Sequence, residues 1–100
     1  MRRIGMAIVR GRSMLPTLRE GDRLLVLYGA QARPGSLVLV RFPARPVAVK
    51  RLLRREPSGG WWVERDNPSE GVDSWSLGAV ADHDLLAVVL VRLWPRPRRL

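Results

Sequence analysis

Short runs of apolar residues alternate with groups of glycine, proline and charged residues along the whole chain. The runs are rich in Val and Leu, and turn-forming groups such as EGD at 20–22 and RPG at 33–35 precede them. Runs bounded in this way are typical of β-strands. The sequence therefore predicts a mainly β protein, with strands at 4–9, 24–28, 36–42, 47–53, 61–64 and 85–94.

The polar segments between these runs indicate how the strands connect. Residues 56–60 read EPSGG, which is typical of a hairpin turn, so the strand at 61–64 should pair with the strand at 47–53. The stretch 66–76 is polar and is predicted to be an ordered loop. No long helix is expected. Short strands at this spacing favour a small β-barrel or a folded sheet.

The length of 100 residues predicts a single domain over 1–100. The longest uninterrupted apolar run, 85–91, has seven residues, whereas a membrane-spanning helix needs about 20. The N-terminus lacks the apolar core of a signal peptide. We therefore expect a cytoplasmic protein without a membrane anchor, ending in a flexible basic tail at 93–100.

The amino-acid composition excludes several kinds of chemistry. The chain has no cysteine, which excludes disulfides, thiolate catalysis and zinc bound by cysteine. The net charge of +9 allows weak contact with an anionic membrane surface. The arginines are scattered and do not form one block, so we expect no nucleic-acid partner. The single histidine, His83, stands between two aspartates in a predicted exposed turn and is a poor candidate for a catalytic base.

The only lysine, Lys50, stands out because the chain uses arginine at its 17 other basic positions. Lys50 lies within the apolar strand at 47–53. An arginine cannot lose its proton in a protein, whereas a buried lysine can become a neutral amine and act as a base. The alternative is an ordinary strand lysine that points to solvent, because Lys50 and Arg51 face opposite sides of the strand.

The segment around Ser13 contains the parts that a nucleophilic serine needs. Gly11 allows a close backbone approach, and Pro16 stiffens the chain just after the serine. Such a rigid turn can direct backbone N–H groups at a reacting carbonyl. The alternative is a surface serine that caps a short turn, since the chain has five other serines.

Taken together, three segments resemble the motif boxes of the signal peptidase family (type I, peptidase family S26). Residues 11–18, GRSMLPTL, resemble its G-x-S-M-x-P-T-L box, and residues 49–52, VKRL, resemble its lysine box. Residues 66–78 contain DN, DSW and a final glycine, similar to its third box of G-D-N followed by S-x-D-S-R and a glycine. The boxes occur in the family's order.

The resemblance implies a serine peptidase with a Ser/Lys dyad on a signal-peptidase-like or LexA-like β fold, using no metal or other cofactor. Ser13 would be the nucleophile and Lys50 the general base. The backbone N–H of Ser13 would contribute to the oxyanion hole, and Met14 and Pro16 would shape the substrate cleft. Gly11 stands where many bacterial members have a serine whose hydroxyl adds to the oxyanion hole.

The third box departs from the family pattern. Gly71 replaces the serine that orients the lysine, Arg65 replaces the glycine of G-D-N, and Trp75 replaces the arginine. Asp73 then needs another cation, for which Arg51 is the candidate. The missing hydroxyls at positions 11 and 71 are expected to lower activity or to be replaced by water. The residues expected to support the loop are Asp66, Asn67, Asp73, Ser74 and Arg51.

Because a membrane anchor and the large additional β-domain of typical signal peptidases are not seen, the chain most resembles the nickel-type superoxide dismutase maturation proteases. This resemblance implies removal of an N-terminal leader from a precursor protein that has small residues before the cut. Two alternatives stay open. One is a LexA-type self-cleaving regulator, disfavoured because no helix-turn-helix fits before Ser13. The other is a degenerate, non-catalytic peptide-binding module.

Overall fold

The computed structural model describes residues 2–100, and Met1 lies outside the described residues. All six predicted strands are present, with ends shifted by no more than two residues. The structure adds a seventh strand at the C-terminus. The strands are β1 (Arg3–Ile8), β2 (Arg23–Tyr28), β3 (Leu37–Val40), β4 (Ala48–Arg55), β5 (Trp61–Glu64), β6 (Leu85–Trp94) and β7 (Arg98–Arg99).

The strands form one antiparallel sheet in the order β1-β2-β6-β3-β4-β5, and β7 pairs with the outer end of β6. The predicted hairpin is confirmed, since β4 pairs with β5 and Glu56 N–H donates to the Gly60 carbonyl at 3.0 Å. The first and last strands of this order, β1 and β5, do not pair with each other within residues 2–100. Of the two predicted forms, the sheet is therefore the open one and not a closed barrel.

The centre of the sheet is β3, which is buried on both faces. Leu37 and Leu39 contribute to one hydrophobic cluster, and Val38 and Val40 contribute to a second. A strand covered on both sides reads as a continuous apolar run, which explains why LVLV lacks polar alternation. Lys50 of β4, which pairs with Val38, therefore lies beside the second cluster.

Over residues 2–100, helical structure is limited to two short turns. Residues Ser74–Leu77 form a single α-helical turn, α1, inside the predicted polar loop. The Asp73 side chain caps this turn by accepting the Trp75 N–H at 3.0 Å. Residues Asp82–Asp84 form a 3₁₀ turn before β6. In residues 2–100, no helix has the length and apolar character needed to cross a membrane.

The C-terminal residues, predicted to fray, instead fold back along β6. Arg98 and Arg99 pair with Arg92 and Val91, and the Leu100 N–H donates to the Leu90 carbonyl at 3.2 Å. Leu100 packs against the first hydrophobic cluster. The terminal apolar side chain thus gains a buried surface that the basic composition of the tail does not indicate.

We expect Leu18→Ala to lower the free energy of unfolding by about 2–5 kcal/mol, because Leu18 is fully buried in the first cluster. The matched control is Leu93→Ala, since Leu93 is 41% exposed, and it should cost less than about 1 kcal/mol. Chemical denaturation measures both values. Equal losses in the two variants would show that the segment 11–18 is not anchored through Leu18.

Candidate active site

Ser13 lies in a compact turn between β1 and β2 that is anchored by the residues after it. Met14 and Leu18 are 2% and 0% exposed and belong to the first hydrophobic cluster. The Leu18 N–H donates to the Met14 carbonyl at 2.9 Å, and Gly11 enters the turn with a φ of 76°. The left-handed backbone at Gly11 suits glycine because a Cβ is disfavoured there. Ser13 itself stays partly exposed at the surface of this turn.

The segment after β5 supports the Ser13 turn from outside. The Asn67 N–H donates to the Ser13 carbonyl at 2.8 Å, and the Asn67 side-chain amide donates to the Arg12 carbonyl at 2.9 Å. The Asp66 N–H points at the Met14 sulfur, 3.4 Å away. The Asp-Asn pair of the sequence motif is therefore in direct contact with the serine segment, whereas its role in supporting the loop itself stays a prediction.

Lys50 projects from β4 toward Ser13. It lies opposite Val38 of β3, is 3% exposed, and places its Nζ 3.2 Å from the Ser13 Oγ, to which it donates a hydrogen bond. Burial lowers the pKa of Lys50 from its usual 10.5, the Asp73 carboxylate opposes this change, and the Arg65 guanidinium adds to it. The amine therefore gives up its proton more readily than a solvent-exposed lysine does. The exposed-lysine alternative is wrong.

The Ser13 backbone N–H makes no hydrogen bond within residues 2–100. It is thus free to donate to an oxygen that develops negative charge during attack on a carbonyl. The Gly11 position supplies no hydroxyl to assist it. The oxyanion-hole assignment of Ser13 N–H stays a prediction, with a free donor available at the expected atom.

Asp66 and Arg51 form an ion pair on the opposite side of β4 from Lys50. The Arg51 Nη2 and Nε lie 2.7 and 3.2 Å from the two Asp66 oxygens, and the Thr17 hydroxyl donates to Asp66 at 2.6 Å. Burial alone would raise the pKa of Asp66, but the hydrogen bonds from Arg51 and Thr17 outweigh it and hold the pKa below 3.8. This network connects the serine turn, β4 and the loop after β5.

Asp73 has Arg65 as its cation, so the expected partner Arg51 is wrong. The Arg65 Nη1 lies 3.7 Å from the Asp73 carboxylate, which also accepts the Arg65 backbone N–H at 3.1 Å. The physical reason is strand alternation, because Lys50 and Arg51 point to opposite faces and Asp73 lies on the Lys50 side. Sequence reasoning missed Arg65, although its presence at the glycine position of the third box was a signal.

Ser74 and Trp75 follow Asp73 in the chain and make contacts with β5. The Ser74 hydroxyl is buried and accepts the Val63 N–H at 3.0 Å, which joins α1 to β5. Trp75 is 70% exposed, donates its indole N–H to Glu64, and meets Trp62 edge-to-face at 5.2 Å. Trp75 therefore does not take over the role that an arginine would have toward Asp73.

Gly71 lies directly against Ser13. A Cβ added at Gly71 would meet the Ser13 Cβ at 2.6 Å, and the φ of Gly71 is 86°. A serine does not fit this backbone without displacing the segment that carries Ser13. The glycine is thus part of the packing around Ser13, and the missing hydroxyl is a consequence of that close approach.

The surface around Ser13 forms an open cleft with two lobes, and Ser13 lines both of them. The wide lobe, about 580 Å³, has an apolar floor that includes Met14, Leu39 and Leu86. The narrow lobe, about 330 Å³, is lined by Gly11, Lys50 and other residues. Pro16 lines neither lobe and borders a separate depression near the C-terminus, so its expected place in the cleft is not seen. The turn reverses the chain after Met14 and carries Pro16 to the other side.

A comparison with curated proteins gives no match. A comparison with known families matches residues 2–89 to Peptidase S24-like. The match covers most of the chain, which therefore belongs to the Peptidase S24-like family, in the same clan as the signal peptidases. The chain is an S24-like serine peptidase domain with a mainly β, antiparallel fold. The resemblance to signal peptidases is thus confirmed at the level of the clan.

We expect both Gly71→Ala and Gly71→Ser to reduce the reactivity of Ser13, because either side chain would collide with the Ser13 Cβ. The serine variant should not rescue activity even though it restores the family's hydroxyl. The matched control is Gly35→Ala, since Gly35 has a φ of 91° but open space around its missing Cβ. Labelling of Ser13 by a fluorophosphonate measures the effect. Faster labelling of Gly71→Ser than of the parent would contradict this packing.

We expect the parent to lose more stability than Asp66→Asn when the pH falls through the acidic range. The pKa of Asp66 is below 3.8 in the folded protein, so its stabilising charge is fully present above that value and is lost as the pH falls through the lower folded pKa. Free energies of unfolding measured from neutral to strongly acidic pH test this. Identical acid sensitivity of the two proteins would rule out the contribution of Asp66.

Proposed function

We propose that the protein is an endopeptidase in which Ser13 is the nucleophile and Lys50 is the general base. The observation that carries this proposal is the 3.2 Å contact between the Lys50 Nζ and the Ser13 Oγ, made by an amine that is 3% exposed. A lysine whose pKa is lowered by burial is suited to take a proton from a serine hydroxyl. The S24-like family match supports the same class of chemistry.

The proposed reaction has two steps. The Ser13 Oγ attacks the carbonyl carbon of the scissile peptide while neutral Lys50 accepts the hydroxyl proton, and the Ser13 N–H donates to the resulting oxyanion. The protonated Lys50 then gives this proton to the leaving amine, and an ester to Ser13 remains. Water attacks the ester while Lys50 again accepts a proton, which releases the new carboxyl end and restores the serine hydroxyl.

The substrate is proposed to be an extended segment of a precursor protein. The wide lobe is bordered by Ala7 and Ile8 at the end of β1, which is an edge strand of the sheet. An edge strand offers unpaired backbone groups to which an extended peptide can add. Since the sequence as a whole most resembles the nickel-type superoxide dismutase maturation proteases, the leader of such a precursor, with small residues before the cut, is the first candidate substrate.

Mutation of the dyad provides the decisive test. Ser13→Ala should abolish cleavage of the leader-bearing precursor and labelling by a fluorophosphonate. Lys50→Arg should lower both rates by about 10²–10⁴-fold, because arginine cannot serve as the base. Ser58→Ala, an exposed hairpin serine, is the matched control and should behave as the parent. In the parent, the labelling rate should rise with pH to a plateau, with a midpoint below 10.5.

The outcomes distinguish the proposal from its alternatives. A Lys50→Arg variant as active as the parent would refute the dyad. Binding of the precursor without cleavage or labelling of Ser13 would favour a non-catalytic module. Shortening of the chain itself during incubation, abolished by Ser13→Ala, would favour a self-cleaving regulator over an enzyme that acts on another protein.

A further inference from the structure

The cleft around Ser13 carries many more positive than negative groups. Arginines rim both lobes, whereas Glu70 is the one carboxylate on their lining within residues 2–100. Glu70 lies 3.8 Å from Arg12 and so offsets a single arginine. The arginines that line the wide lobe are Arg3, Arg10 and Arg41, and those that line the narrow lobe are Arg10, Arg12 and Arg45.

Most of this positive charge has no partner in the protein. Elsewhere, the carboxylates are used in ion pairs such as Arg51–Asp66 and Arg55–Asp82, both at 2.7 Å. Within residues 2–100, four of the cleft arginines have no carboxylate within 4.0 Å, namely Arg3, Arg10, Arg41 and Arg45. Their guanidinium groups are therefore free to bind an acidic group from another molecule.

One of these arginines, Arg3, has its guanidinium held at the rim by a contact that does not neutralise it, and Arg41 is anchored through its backbone. The Arg3 guanidinium stacks on the Tyr28 ring at 5.0 Å, and Tyr28 itself lines the wide lobe. The Arg41 backbone N–H donates to the Asp84 carbonyl at 2.9 Å, while the Asp84 carboxylate lies 3.5 Å from His83. The rim thus presents positive charge above an apolar floor, and Arg3 is the rim arginine whose guanidinium is held by an aromatic ring within residues 2–100.

We propose that the cleft selects substrates with acidic side chains flanking the bond to be cut, with Arg10 and Arg41 as specificity-determining residues. The inference rests on the proposed peptidase function and names its substrate class. An extended peptide would place small side chains over the apolar floor and carboxylates at the rim, where the planar fork of arginine matches a carboxylate. Positive charge concentrated in a concave site also attracts an acidic segment before contact.

The test measures binding separately from cleavage, using the full-length Ser13→Ala chain. Three fluorescent, alanine-based peptides carry Asp, Asn or Lys on both sides of a central alanine segment, and anisotropy reports their affinity. An exposed ion pair strengthens binding up to about fivefold. With two such pairs, the Asp peptide should bind about 5–20-fold tighter than the Asn peptide at low salt, and the Lys peptide should bind weakest. High salt should reduce these differences.

Two double variants of matched charge locate the effect. Arg10→Gln/Arg41→Gln should remove most of the preference for Asp over Asn. Arg19→Gln/Arg33→Gln, which changes two exposed arginines that line neither lobe, should keep it.

Equal losses in the two double variants would assign the preference to overall charge and overturn the proposal. So would equal affinity for the Asp and Asn peptides, or no measurable binding of any peptide. Labelling of Ser13 by a fluorophosphonate tests the peptidase function independently of these outcomes.

Discussion

The burial of one amine beside one hydroxyl is the constraint on which this site depends. Lys50 is removed from water between β3 and the loop after β5, and its Nζ lies 3.2 Å from the Ser13 Oγ. Removing an ammonium group from water is costly, so the neutral form is favoured unless a negative charge lies nearby. Asp73 supplies such a charge, but Arg65 shares it. The arrangement keeps the amine buried while leaving it able to exchange a proton.

The alternation of side chains along β4 places Lys50 and Arg51 on opposite faces of the strand, where they have different partners. Lys50 points to the face with Ser13 and Asp73, and Arg51, one residue later, points to the face with Asp66. The Lys50–Ser13 contact and the Arg51–Asp66 ion pair therefore do not compete, although Lys50 and Arg51 are neighbours in the chain. Thr17 and Asn67 then connect the Asp66 side to the serine turn. A single strand thus positions Lys50 and stabilises the segment that carries Ser13.

The cleft combines an apolar floor with a charged rim. Its floor continues the first hydrophobic cluster through Met14 and Leu39, so the same side chains stabilise the sheet and border the site where a peptide would lie. Its rim carries five arginines, and within residues 2–100 only one of them, Arg12, has a carboxylate within 4.0 Å. The high net positive charge of the chain is therefore present around the cleft as well as on other solvated faces.

The strands and the motif boxes could be predicted from the sequence because both are local properties: apolar runs bounded by turn-forming residues for the strands, and residue identity for the motifs. The sequence also indicated that Lys50 is important, since it is a single lysine among 17 arginines and can lose its proton, which an arginine cannot. Three features became visible only in the folded chain: Arg65, not Arg51, accompanies Asp73, Pro16 lies outside both lobes of the cleft, and Leu100 packs against the core. Each of these depends on which side of a strand or turn a side chain takes and on what lies across from it. Gly71 shows the limit most clearly: the sequence presents a missing hydroxyl, whereas the fold brings its backbone so near Ser13 that a side chain has no space.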